Sequence, residues 1–76
     1  MNKWIDVKDE LPKYSNLYLV YCSIGSMLGG YNEVRAYNYS IFNGKNGRIE
    51  KWDLPNIYNE IISITHWMEL PEPPEE

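Results

Sequence analysis

Seventy-six residues make one small domain, and a single cysteine, Cys22, excludes an intrachain disulfide and a cysteine-rich zinc site. The formal charge is −4, but four of the eleven acids lie in the last eight residues, so the body is formally neutral. It lacks the positive field that nucleic-acid binding uses, and no apolar run approaches membrane-spanning length.

The amino-terminal stretch Met1–Val7 has no apolar signal core, so a cytoplasmic protein without membrane contact is expected. A chain this short buries only a marginal core. Three Trp, seven Tyr and one Phe are its main resource, each large ring burying about 150–250 Å². Self-association is the other remedy, and a homo-oligomer is expected.

In chain order, Trp4-Ile5-Asp6-Val7 alternates apolar and polar residues, with Trp4 and Leu11 as inward anchors. Asp6 is placed to cap one helical turn through Asp9 and Glu10, which Leu11-Pro12 ends. Leu17–Ser23 is the clearest strand. Leu17, Leu19 and Tyr21 share one face, Tyr18, Val20 and Cys22 the other, and two apolar faces predict an interior strand covered on both sides. Ile24–Asn32, with Gly25, Gly29 and Gly30, reads as a flexible loop; no helix pattern follows it, so it is not a phosphate-binding loop.

Glu33–Phe42 is the next strand, with Arg35, Tyr37, Tyr39 and Ile41 on one face. Asn43-Gly44 or Asn46-Gly47 closes a hairpin between Phe42 and Ile49. Asp53-Leu-Pro-Asn56 reads as a helix start, and Leu54, Ile57, Tyr58 and Ile61 follow helical spacing for one or two turns. The last strand, from Ile61, alternates Ile62, Ile64, His66 and Met68 against Ile61, Ser63, Thr65 and Trp67. The prolines at 71, 73 and 74 end it. The expected fold is α+β: a small antiparallel sheet of three to four strands with one or two short helical turns, as a domain over residues 1–70 and an acidic Pro-rich tail over 71–76.

No catalytic constellation, metal site or cofactor site emerges. His66, the sole histidine, has no carboxylate partners at ligand spacing and reads as a structural residue bonded to its surroundings. Cys22 alternates with Tyr18 and Val20 and reads as a buried, inert thiol. Arg35, Tyr37 and Tyr39 form a face able to stack on a base or nucleotide, although any Tyr-rich strand packing its neighbours has the same pattern.

Two motifs carry further information. Trp4-Ile-Asp-Val-Lys-Asp-Glu-Leu-Pro12 and Ile64-Thr-His-Trp-Met-Glu-Leu-Pro-Glu-Pro-Pro74 resemble the DUF551 family of short phage and prophage proteins of unknown function. Leu19-Val20 and Val34–Tyr39 fit that family's looser middle. Glu69 stands where members often have proline, and Lys13–Asn16 lacks their glycine. The resemblance implies a phage-associated accessory protein with no established catalytic residues, and casts Trp4 and Trp67 as structural residues pinning the chain ends together. Three functions are weighed: a non-enzymatic binding module against a host protein or defence component, an oligomeric binder sequestering a nucleotide-like ligand, and a small hydrolase using His66. The first is preferred.

Overall fold

The computed structural model describes residues 3–57 and 60–71. They form one antiparallel sheet of five strands: β1 (Ile5–Asp6), β2 (Asn16–Ser26), β3 (Gly29–Gly44), β4 (Gly47–Trp52) and β5 (Glu60–Glu69), in the order β1-β5-β2-β3-β4. The expectation of an α+β fold is therefore corrected to all-β, with no helix among the described residues.

Both helical readings fail for local reasons. Asp6 does cap a turn, its Oδ1 accepting the Lys8 N–H at 2.8 Å and its carbonyl accepting from Asp9 and Glu10, but the turn stops there. Asp53 turns its carboxylate back to the sheet, accepting the Ser40 hydroxyl at 2.6 Å, and caps no helix. Its N–H extends the β3 ladder onto the Asn38 carbonyl at 2.8 Å, so residues 53–57 leave the sheet without regular structure. Tyr58 of the helical pattern, and the tail beyond Pro71, lie outside the described residues.

β2 is central, as its double-sided apolar pattern predicts, but only one face is covered. Tyr18, Val20, Cys22 and Ile24 are buried with Tyr39 and Trp67, and Ile5, Val7, Tyr37, Ile41, Trp52, Ile62 and Ile64 pack around them. Rings supply much of this core. Tyr39 meets Trp52 with centroids 4.8 Å apart, and Tyr18 meets Trp67 at 5.2 Å, both edge to face. The segment between β1 and β2 lies against this layer. There Pro12 is fully buried, the Trp67 indole N–H donates to the Glu10 carbonyl, and the Tyr18 hydroxyl donates to the Tyr14 carbonyl.

A β-bulge in β5 decides which residues enter the core. Tyr21 pairs with His66 but Cys22 with Ile64, leaving Thr65 as the extra residue. Its hydroxyl donates to the Tyr21 carbonyl at 3.1 Å, filling the gap in the ladder. Alternation restarts after it, so Ile62, Ile64 and Trp67 share the core face while His66 and Met68 turn to the open one. Strict alternation, which grouped Ile62 and Ile64 with His66, fails at that residue.

Trp4 and Leu11 are not inward anchors: both are exposed, Trp4 by 42%. Ile5 rather than Trp4 pairs with Trp67, and one residue of offset puts Trp4 on the open face against Tyr21, ring centroids 6.2 Å apart. The chain ends are joined, but through Ile5, and through Val7 N–H donating to the Thr65 carbonyl at 3.0 Å. The hairpin from Phe42 to Ile49 forms as expected, closed through Gly47 at φ 128°. At its end Gly44 leaves room for Ile49, whose side chain a Cβ there would strike.

Candidate functional site

Arg35 and Tyr37 are brought together on the core face, but their polar groups are engaged within the chain. The Arg35 guanidinium is ion-paired with Glu33 and reaches Glu60 Oε1 at 3.5 Å, donates to the Tyr37 hydroxyl at 2.9 Å, and approaches the Tyr31 hydroxyl at 3.4 Å. The Tyr37 and Glu33 hydrogen bonds hold it firmly protonated. Tyr39 lies apart, buried beneath Trp52, with its hydroxyl 3.3 Å from Glu50. Burial, then the Glu50 charge, raises its pKa. The three side chains thus work as core and clasp, and do not present one open stacking face.

The clasp has a structural task. Glu33 pairs with Cys22 and Arg35 with Val20, so the charges lie over the Cys22 end of the core. Glu60, the first residue of β5, is tied to β3 through Arg35. Cys22 is fully buried beneath, and burial raises its thiol pKa. That keeps it protonated and unreactive.

His66 shares the open face with Trp4 and Tyr21. Its Nδ1 lies 2.8 Å from the Thr65 hydroxyl. Because that hydroxyl's single proton goes to Tyr21, Nδ1–H is the donor. Nε2 lies 3.9 Å from Asp6 Oδ2. The bulge puts His66 and Cys22 on opposite faces, although their strands adjoin. Among the described residues, no three His, Cys, Asp or Glu side chains converge as a metal centre requires.

What the sequence pattern missed lies at the far end of the β2–β3 hairpin. The stretch expected as a flexible loop is two long strands joined by Met27-Leu28, with Gly29 at φ 120°. Ser26 locks the turn, its hydroxyl donating to the Gly29 carbonyl at 2.8 Å and accepting from the Leu28 N–H at 3.3 Å. Two-residue hairpin loops favour Asn and Gly. Here Met27 is 82% exposed and Leu28 completely so, and Ile61, beside Gly25 on the adjoining strand, is 76% exposed. Between them opens a cavity of about 660 Å³, lined by Gly25, Ser26 and Met27 on one side and by Asn56, Ile57, Glu60 and Ile61 on the other. The Arg35–Glu60 pair fixes its floor to β3. A pair of large apolar residues inside a glycine-rich stretch was the available signal.

The model of the family described as protein of unknown function (DUF551) matches residues 3–75. The chain belongs to this family. An uncharacterized 7.8 kDa protein in the ral-gp17 intergenic region of Salmonella phage P22 is 34% identical over 74 residues, covering 97% of this chain and 98% of that protein. No solved structure matches. The DUF551 chain is thus similar from end to end to a small phage protein, and both end motifs, Trp4–Pro12 and Ile64–Pro74, fall within the matched region.

Proposed function

We propose that this phage-associated protein is a non-enzymatic binding module that engages a host protein in the bacterial cytoplasm through the tip of its β2–β3 hairpin. The observation that carries the reading is the exposure of Met27 and Leu28 on a turn bonded by Ser26, beside the cavity bordered by Ile57 and Ile61. Nothing within the fold requires apolar side chains there, and grouped apolar residues at one end of a small protein are typical of contact surfaces. The Ser26 and Gly29 turn and the Arg35 clasp keep the site formed before binding, which lowers the ordering cost of association. Glu33 and Glu60 nearby, with a net charge of −4, favour a protein partner over an anionic membrane.

The test is photo-crosslinking in host cells, with a photoreactive amino acid in place of Leu28 or, as a control, Asn43 at the opposite end of β3. The proposal expects a discrete adduct to a host protein from position 28 and none from position 43. Adducts of equal yield and identity from both positions, or none from either, would overturn it.

A further inference from the structure

A second surface remains. The open face of the sheet carries Trp4, Leu17, Leu19, Tyr21, Val34 and Met68 at its centre, with Phe42 opposite Ile49 further out. An antiparallel sheet with one solvated face normally alternates apolar and polar residues. Here the solvated side of β2 is apolar from Leu17 through Tyr21, before Ser23 and Gly25, yet Val34 is 52% exposed and Trp4, Leu17 and Tyr21 are each more than a third exposed. The pattern is that of a strand covered on both sides, and a single chain covers one.

We infer that the missing cover is a second copy of this chain, packed open face to open face about a two-fold axis. Two arguments select it. The first is area. The five strands, of two to sixteen residues at about 4.8 Å spacing and about 3.4 Å rise, present roughly 700 Å², close to one partner's share of a standard stable interface. The second is charge. Among the described strand residues and Asp53, the charged side chains of this face lie at its edges, Asp6 and His66 on β1 and β5 and Lys51 and Asp53 at the β4 edge, with none between them. A two-fold contact must be complementary to itself. An uncharged centre with Asp6 at one edge and Lys51 at the other, the Asp53 carboxylate beside Lys51 being already held by Ser40, meets that condition.

The registers fix how the copies cross. Asp6 shares a row with His66, Tyr21 and Val34, whereas Lys51 pairs with Ser40, six residues further along β3. Asp6 and Lys51 are therefore four strands apart, about 19 Å across the sheet, and about 20 Å apart along it. The midpoint falls on β2 between Leu17 and Leu19, the partners of Asn38 and Ala36. A two-fold axis over that point, at about 45° to the strands, places each Asp6 against the Lys51 of the other copy and crosses the sheets near 90°. That is one of the two ways sheets stack. Leu17 and Leu19 then lie at the axis, with the ion pairs at the rim.

The experiment is sedimentation equilibrium on the full chain and on three variants. The parent is expected at twice the 9.0 kDa chain mass at micromolar concentration. Val34→Glu, at an exposed position, should retain the parent's circular dichroism and weaken the dimer by roughly a hundredfold, because it buries an unpaired charge. Lys51→Glu should weaken it by roughly tenfold through the two rim contacts. Added to Asp6→Asn, which keeps the side-chain acceptor for Lys8, the same change should cost clearly less. A single-chain mass at 100-fold higher concentration would overturn the inference, as would a dimer that Val34→Glu leaves intact. Strictly additive effects of Lys51→Glu and Asp6→Asn would overturn the crossed arrangement.

Discussion

The Trp67 indole N–H donates to the Glu10 carbonyl at 2.8 Å, across 57 residues of chain. That bond ties β5 to the segment between β1 and β2, and Tyr18 completes the junction by packing edge-on against the same indole. Trp67 therefore couples the two end motifs through the core.

Removing it should be severe. Trp67→Ala is expected to lose about 3–5 kcal/mol, enough to leave a domain of this size largely unfolded. Trp67→Phe keeps much of the packing but strands the Glu10 carbonyl, and should lose less. Urea denaturation of the two variants, compared with the parent, checks the order.

Thr65 gives a sharper test of the register. Thr65→Val keeps the volume but removes the hydroxyl from between the Tyr21 carbonyl and His66, at an expected cost of about 1–2 kcal/mol. Deleting Thr65 would remove the bulge and leave Ile64 and His66 consecutive on the opposite faces they already occupy, so the register of both flanks is kept. That variant should lose the Thr65 bonds to Tyr21 and Val7 yet still unfold cooperatively, which a thermal melt by near-ultraviolet circular dichroism would report.

The Cys22 thiol should be unreactive in the folded protein. It is fully buried and its pKa is raised, chiefly by burial. Reaction with a disulfide reagent at pH 8 should be at least about a hundredfold slower than in the urea-unfolded chain, whose thiol has the ordinary thiolate fraction.

Alkaline pH should destabilise the fold. The pKa values of Tyr18 and Tyr39 are raised above 10, first by burial and then by Glu69 and Glu50 respectively. Above pH 10 the unfolded chain releases these protons while the folded chain retains them, so stability falls as pH rises. Below pH 10 this contribution is fully present. Urea midpoints at pH 8, 10 and 11 should be level between the first two and fall by the third, and Tyr39→Phe should flatten the decline.

The turn at the hairpin tip separates folding from binding. Leu28→Asn is expected to leave the melting temperature unchanged or slightly higher, since Leu28 packs against nothing and Asn suits a hairpin loop. Gly29→Ala should destabilise the fold by about 1 kcal/mol, because φ of 120° disfavours any side chain. Thermal melts of both check this.

Much of the sheet was legible in the sequence. Tyr18, Val20 and Cys22 alternate cleanly, Arg35, Tyr37, Tyr39 and Ile41 share the inner face of β3, and the Asn-Gly pairs mark the second hairpin. What misled the reading had physical causes. Asp53 and Pro55 have the residue types of a helix start, but the Asp53 N–H continues the β3 ladder onto Asn38 and its carboxylate turns back to Ser40. A bulge is invisible to a period-two pattern, so Trp67 and His66 changed places relative to Ile64. Gly25, Gly29 and Gly30 suggested flexibility, whereas Gly29 alone uses its freedom and the others lie in strands. Of the candidate site, Arg35 and Tyr37 were rightly placed on one face. The Glu33 contact of Arg35 is local to β3, but its Glu60 contact depends on β5 lying beside β2, which local sequence does not encode.

The central claim is that the hairpin tip is the binding surface. It is tested most directly by calorimetric titration of the purified host protein recovered through position 28 against the parent chain and a Met27→Ser/Leu28→Ser variant. The account predicts affinity at least about tenfold weaker for the variant, with an unchanged melting temperature. Equal affinity for the two chains would contradict it.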